Sequence, residues 1–146
     1  MTQGMAVVEA AKGWLGTPYV HQASRRGMGC DCLGLVRGIW RELLGAEPCT
    51  VPPYTPDWSE PSGREDLMLA AGRLLCPAPM AEAQMGDVLL FRMRDGAVAK
   101  HLGIQSATGP EARFIHAYTG HGVVESALTD PWRRKIAARF RFPEGV

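Results

Sequence analysis

The chain has 146 residues, 46% of them hydrophobic and 21% charged, with a formal net charge of +1. That length suits one domain able to bury roughly two thirds of its unfolded surface, and the small net charge excludes a global bias toward nucleic acid or membrane surfaces. No apolar run approaches the roughly 18 residues of a membrane span, and four cysteines in a chain of this size do not make a small secreted disulfide framework, so free thiols are expected.

The first residues carry no basic leader, and Glu9 and Lys12 interrupt the early apolar stretch. The chain is therefore expected to start in the cytoplasm without a signal peptide. Met5 to Leu15 reads as a helix with Val7, Val8, Ala11, Trp14 and Leu15 on one side, ended by Gly16-Thr17-Pro18. A loop from Tyr19 to Gly29 leads into a second helix, Asp31 to Leu44. Its apolar residues Leu33, Leu35, Val36, Ile39, Trp40, Leu43 and Leu44 form one stripe. Asp31 is the expected N-cap and Gly45 the stop.

Pro48 to Gly63 contains Pro48, Pro52, Pro53, Pro56 and Pro61, too many for a regular element. Tyr54 and Trp58 within it point to an ordered cover rather than a free linker. A third helix is expected from Arg64 to Leu75, stopping before Cys76-Pro77-Ala78-Pro79. The pattern then becomes extended, with strands expected at Val88–Met93, Ala97–Ser106, Arg113–Tyr118, Val123–Leu128 and Ile136–Phe142. Helices first and a strand meander second imply an α+β fold, helices packed on an antiparallel sheet, in a single domain over 1–146. Arg133, Arg134, Lys135, Arg139 and Arg141 crowd the C-terminal end and are expected as solvated side chains on an outer face.

Cys32 is the first residue inside the second helix, where unpaired N–H groups and the helix dipole favour a thiolate. A thiolate there is a nucleophile in need of a base. Four histidines are available: His21, His101, His116 and His121. A hairpin symmetric about Thr108-Gly109 would place His101 opposite His116 on one face. One imidazole would then take the thiol proton and the other would orient it. His121 lies between two turn glycines and is expected to be exposed, and His21 is assigned to pocket lining. Cys30-x-Cys32 with the two histidines has the residue count of a Cys₂His₂ zinc site, but neither pair has the spacing usual for structural zinc. No metal or cofactor is expected. Cys49 and Cys76 lie in Pro-rich connectors and are expected as small buried hydrophobes.

At these residues the chain resembles the NlpC/P60 cysteine peptidases, a papain-like family that cleaves the peptide stems of bacterial cell wall. Trp14-Leu15-Gly16-Thr17-Pro18-Tyr19 is similar to the motif before the active-site loop, and Asp31-Cys32-Leu33-Gly34-Leu35-Val36 to the nucleophile motif. Gly86-Asp87-Val88-Leu89-Leu90-Phe91 resembles the first core strand, His101-Leu102-Gly103-Ile104 the strand of the general base, and Ile115-His116-Ala117 that of the residue orienting it. The resemblance implies Cys32 as nucleophile, His101 as general base and acid, and His116 as its orienting partner. Tyr19 and Asp31 would line the oxyanion and substrate pocket.

His21-Gln22-Ala23-Ser24, the Cys-Asp-Cys-Leu-Gly-Leu-Val form and Pro131-Trp132-Arg133-Arg134 further resemble the phage-type branch. That branch is encoded with tail genes of phages and gene transfer agents. It implies a peptidoglycan endopeptidase carried on a tail to the wall, with stem peptides and tail or baseplate proteins as partners. No nucleic acid and no membrane insertion are implied. Leu33 replaces a common Ser after the nucleophile, and Gln22-Ala23 replaces paired glycines, so the scissile bond does not carry over. A non-catalytic tail component and an amidase or acyltransferase are the alternatives on the same fold.

Overall fold

The computed structural model describes residues 2–51, 54 and 64–144. Helix α1 (Gln3–Lys12) starts at Thr2, whose hydroxyl accepts the Met5 N–H at 3.1 Å. It ends earlier than the sequence pattern suggests. Residues 13–16 are turns, yet Trp14 still fills the core because a turn continues the same inward face. The segment read as a loop holds a short hairpin, β1 (Ser24–Arg25) with β2 (Gly29–Cys30).

Helix α2 (Cys32–Leu44) is capped by Asp31, whose Oδ1 accepts the Gly34 N–H at 2.7 Å. Two glycines let this helix sit unusually close to its neighbours. A Cβ at Gly34 would lie 1.9 Å from the Ala23 carbonyl oxygen, and one at Gly38 would lie 2.0 Å from the Trp14 ring. Close approach at both points fixes where the helix begins, and with it the position of Cys32.

The rest comprises α3 (Asp66–Leu74), β3 (Cys76–Ala78), β4 (Val88–Phe91), β5 (His101–Ala107), β6 (Arg113–Tyr118), β7 (Gly122–Ala127), α4 (Asp130–Lys135) and β8 (Ile136–Arg141). The sheet order is β3-β8-β4-β5-β6-β7 and every pair is antiparallel. The expected α+β architecture therefore stands, with β4 to β7 as a meander. Strand β8 departs from it by crossing back to pair with β4. Strand β3 lies where Cys76-Pro77-Ala78-Pro79 was read only as a stop; Pro77 is tolerated because β3 is an edge strand.

Both faces of the sheet are covered, which explains why β4 is buried at every position. Val88 and Leu90 face α1, α2 and α3, together with Leu35, Ile39, Leu102 and Ile104. Leu89 and Phe91 face a smaller second core with Phe114, Leu128 and Trp132.

Three expectations are corrected here. Cys49 and Cys76 are exposed rather than buried, Cys76 because it lies on the edge strand. The C-terminal basic residues form a solvated face only in part: Arg133 and Arg134 are exposed, whereas Arg139 and Arg141 turn inward. Arg139 is 5% exposed and donates to Asp87 Oδ2 at 2.8 Å and to Gln105 Oε1 at 2.5 Å, and Arg141 pairs with Asp87 Oδ1 at 3.0 Å. Arg133 and Lys135 donate to the carbonyls of Leu128, Gly109 and Met93. The register of β5 with β6 also differs. Ile104 faces Ile115 and Gln105 faces Phe114, with a bulge before Ala107, so His101 and His116 are not directly opposed. The Pro48 to Gly63 cover, Trp58 included, lies outside the described residues except for 48–51 and Tyr54.

Candidate active site

Asp31 caps the helix and Cys32 is its first residue, so one turn of backbone sets the thiol at the helix start. The thiol meets the beginning of β5. Its S–H donates to the Lys100 carbonyl at 3.7 Å, and the Leu102 N–H lies on its other side. Those two residues flank His101, so Cys32 at the start of α2 lies against the segment of β5 that carries the first histidine.

The two histidines also meet. His101 Nε2 and His116 Nδ1 are 2.8 Å apart, with the rings nearly perpendicular. The register shift amounts to two positions, and a shift of two keeps both side chains on the same sheet face. The residue beside His116 on β5 is Gly103: a Cβ there would lie 3.4 Å from His116 Cβ and 2.9 Å from the Phe114 ring. With no side chain between them, the rings close the diagonal. His116 Nε2 then bonds Ser126 Oγ on β7 at 3.0 Å.

The other side of the pair is aromatic. Trp132 on α4 lies 6.0 Å from the His101 ring and 5.3 Å from His116, at right angles to the latter. Phe114 and Tyr118 flank His116 at 4.2 and 5.1 Å, and His121, exposed as expected, stacks on Tyr118.

Burial dominates the electrostatics. It pushes the Cys32 thiol from its usual 9.0 up to about 12, with the Asp31 carboxylate adding to the effect and nearby backbone N–H groups opposing it. A helix start is worth about 0.3–1 kcal/mol to an anion, less than one pH unit of acidity. The field that favours a thiolate is therefore outweighed in the resting site. Burial also holds His101 down to about 3, helped by His116, and holds His116 down to about 4. The resting pair is a neutral thiol beside a neutral imidazole.

Asp31 organises the loop around Cys32. Its Oδ2 accepts the Gln22 N–H at 2.7 Å and the Tyr54 hydroxyl, while His21 Nδ1 stands 3.8 Å away. Gln22 has a φ of 65°, a left-handed conformation that is rare for a side-chain-bearing residue, and this hydrogen bond helps to hold it. The Tyr54 carbonyl accepts from the Gln22 side chain at 2.5 Å and lies 2.8 Å from His21 Nε2. His21 thus packs against Tyr54 beside Asp31. The Tyr19 hydroxyl is half-buried, which raises its pKa above the usual 10.0, and it bonds the Thr119 side chain, which opposes that. Cys30 is fully buried in the main core.

A cavity of about 90 Å³ lies beside the first turns of α2, lined by Leu33, Val36, Trp40, Leu67 and Leu102 among others. Leu33 and Leu102 follow Cys32 and His101 directly. Among the described residues, no three His, Cys, Asp or Glu side chains are grouped to hold a metal ion.

Sequence reasoning brought together Cys32, His101 and His116 but missed Gly103, Ser126, Trp132 and Tyr54. Continuing the meander one strand further would have placed Ser126 near His116, because β7 pairs Val124 with His116. The other three depend on packing between distant segments and leave no local signal.

Known proteins resemble the chain over most of its length. The chain is 30% identical over 142 residues to the gamma-DL-glutamyl hydrolase of Bacillus subtilis (strain 168), covering 97% of this chain and 30% of that one. It is 26% identical over 129 residues to the murein DD-endopeptidase MepS/murein LD-carboxypeptidase of Escherichia coli (strain K12), covering 88% and 57%. It thus spans less than two thirds of the length of either relative. The NlpC/p60 domain of the peptidoglycan hydrolase SagA superposes with a TM-score of 0.59 at 24% identity, over 86% of this chain and 89% of that domain. A Staphylococcus aureus protein similar to NLP/P60 lipoproteins gives a TM-score of 0.63 at 19% identity, over 98% and 42%. The NlpC/P60 profile itself matches residues 16–141, from the turn before Tyr19 to the last residue of β8, and the chain belongs to the NlpC/P60 family.

Proposed function

We propose that this chain is a cysteine peptidase that cleaves amide bonds in the peptide stems of bacterial cell wall. The observation that carries the reading is the Cys32–His101–His116 arrangement, with the thiol against the residues flanking His101 and the two rings hydrogen-bonded. The name of the murein endopeptidase supports a cell-wall substrate, and that of the glutamyl hydrolase supports cleavage at a glutamyl bond.

In this mechanism His116 occupies Nε2 of His101, leaving Nδ1 for the thiol proton. The thiol exchanges the Lys100 carbonyl for that nitrogen, and the sulfur attacks the amide carbonyl carbon. The oxyanion is held by the Cys32 N–H at the helix start and by the Tyr19 hydroxyl. His101 returns the proton to the leaving amine as the C–N bond breaks. Water, deprotonated by the same nitrogen, then hydrolyses the thioester and restores the thiol. Asp31 keeps the loop and the helix start in register, and His21 and Tyr54 wall the pocket.

Delivery on a phage-like tail, with tail or baseplate proteins as partners and the wall reached from outside, is the finer part of the proposal. It rests on the likeness of His21–Ser24 and Pro131–Arg134 to the phage-type branch. Proteomics of purified particles from the source strain tests that part, and absence of the chain from particles would remove it.

The enzymatic part is tested by mass spectrometry of fragments released from purified sacculi by wild type and by Cys32→Ala. Defined stem-peptide products from wild type alone are expected and would name the bond. Equal release by both proteins would overturn the assignment of Cys32.

A further inference from the structure

We propose that Ser126 is a positioning residue of the catalytic relay, acting through His116 as the acceptor that completes the hydrogen-bond chain when His101 becomes charged. The inference rests on the peptidase reading above and adds a residue to it.

His101 and His116 share one hydrogen bond, between Nε2 and Nδ1 at 2.8 Å. Two neutral arrangements are open at rest. In one, His101 carries its proton on Nε2 and has a free lone pair on Nδ1. In the other, His116 carries the shared proton on Nδ1, His101 carries its own on Nδ1, and the base is blocked. A hydroxyl satisfies His116 Nε2 in either case, because it both donates and accepts.

Transfer of the Cys32 proton removes that freedom. The S–H bond breaks, its proton moves to His101 Nδ1, and the electron pair stays on sulfur. His101 now has an N–H on both nitrogens, so Nε2–H must donate to His116 Nδ1. Neutral His116 must then carry its proton on Nε2 and donate it onward. The partner in place at 3.0 Å is Ser126 Oγ. No proton moves beyond His101, and the charge spreads by polarising two aligned hydrogen bonds.

The surroundings make this acceptor matter. His116 is fully buried and His101 nearly so. Phe114, Tyr118 and Trp132 pack around the two rings and bring no carboxylate. His121, in the turn between β6 and β7, acts against an imidazolium at His116. Glu125, the neighbour of Ser126 on β7, faces away and is engaged by Ser106 Oγ at 2.6 Å and by Arg113. The Ser126 hydroxyl is therefore the dipole that answers the developing positive charge.

Ser126→Thr and Ser126→Val test this, since they add the same bulk and differ in the hydroxyl alone. Two readouts are used: turnover of sacculi, and alkylation of Cys32 by iodoacetamide followed by peptide mass spectrometry. Ser126→Val is expected to lose about tenfold in both rates, the scale of a hydrogen bond to a charged group, with KM unchanged. Ser126→Thr is expected to stay within about threefold of wild type on the same scale. Equal rates for Val and Thr, whether both high or both low, would overturn the proposal, because a packing role does not distinguish them. Turnover surviving in Cys32→Ala would instead overturn the peptidase reading, so the two failures are distinct.

Discussion

His101 and His116 are hydrogen-bonded ring to ring at 2.8 Å although β5 and β6 hold them diagonally rather than opposite. A diagonal pair in an antiparallel sheet lies about 7–8 Å apart at its backbone, so the contact depends on ring orientation and on nothing intervening. Gly103 supplies the gap, and Phe114 and Tyr118 fix the His116 ring within it.

Gly103→Ala is accordingly expected to damage the site more than the fold. The added methyl meets Phe114 at 2.9 Å and His116 at 3.4 Å, an overpacking cost of about 1–3 kcal/mol. The expected result is a folded protein with a lower unfolding midpoint and at least about tenfold slower Cys32 alkylation, from loss of one relay hydrogen bond. Wild-type alkylation with lowered stability would show that the diagonal bond is not needed for the base.

The neutral resting pair makes a prediction about pH. Reaction at Cys32 goes through transfer of the thiol proton to His101, which leaves the proton count of the pair unchanged. With His101 held down to about 3 and Cys32 up to about 12, alkylation of Cys32 is expected to be flat from about pH 5 to about pH 8. Residue-resolved mass spectrometry separates Cys32 from the other thiols. A tenfold rise per pH unit at Cys32 would mean that His101 does not take its proton.

Burial of the histidines also couples stability to acid. Both rings are held below their usual 6.5 by desolvation, so the unfolded chain binds more protons than the folded one as pH falls. The contribution to stability is complete above pH 6.5 and is lost progressively as pH falls from there toward the folded values of about 3 to 4. Thermal unfolding followed between about pH 7 and pH 4 should show a falling midpoint. His116→Phe should flatten that dependence, and an unchanged slope in this variant would assign the acid sensitivity elsewhere.

The Arg139–Asp87 pair gives a stability prediction far from the site. Asp87 is 1% exposed and is held by Arg139, Arg141 and the Gln84 N–H. Arg139→Met removes one charge and leaves Asp87 and Gln105 short of a donor, expected to cost about 3–5 kcal/mol. Urea unfolding measures it. A shift under about 1 kcal/mol would return Arg139 to the class of surface ion pairs.

The sequence by itself determined the local elements and the chemistry they carry. The stripe from Leu33 to Leu44 and the cap at Asp31 define α2, so Cys32 at a helix start was legible from neighbouring residues alone. The alternation in Arg113–Tyr118 likewise put His116 on a defined face, since period two is a property of any strand. The tertiary structure decided everything that depends on distance between segments. The β5–β6 pairing lies two positions from the one a turn symmetric about Thr108-Gly109 would give, with a one-residue bulge before Ala107, and the turn residues reveal neither. Arg139 reads as one more surface cation until β8 crosses to β4 and meets Asp87. The state of Cys32 changed most: the helix start is a local field visible in sequence, whereas desolvation by β5 and the packed loop is set by the whole fold, and here it is the larger of the two.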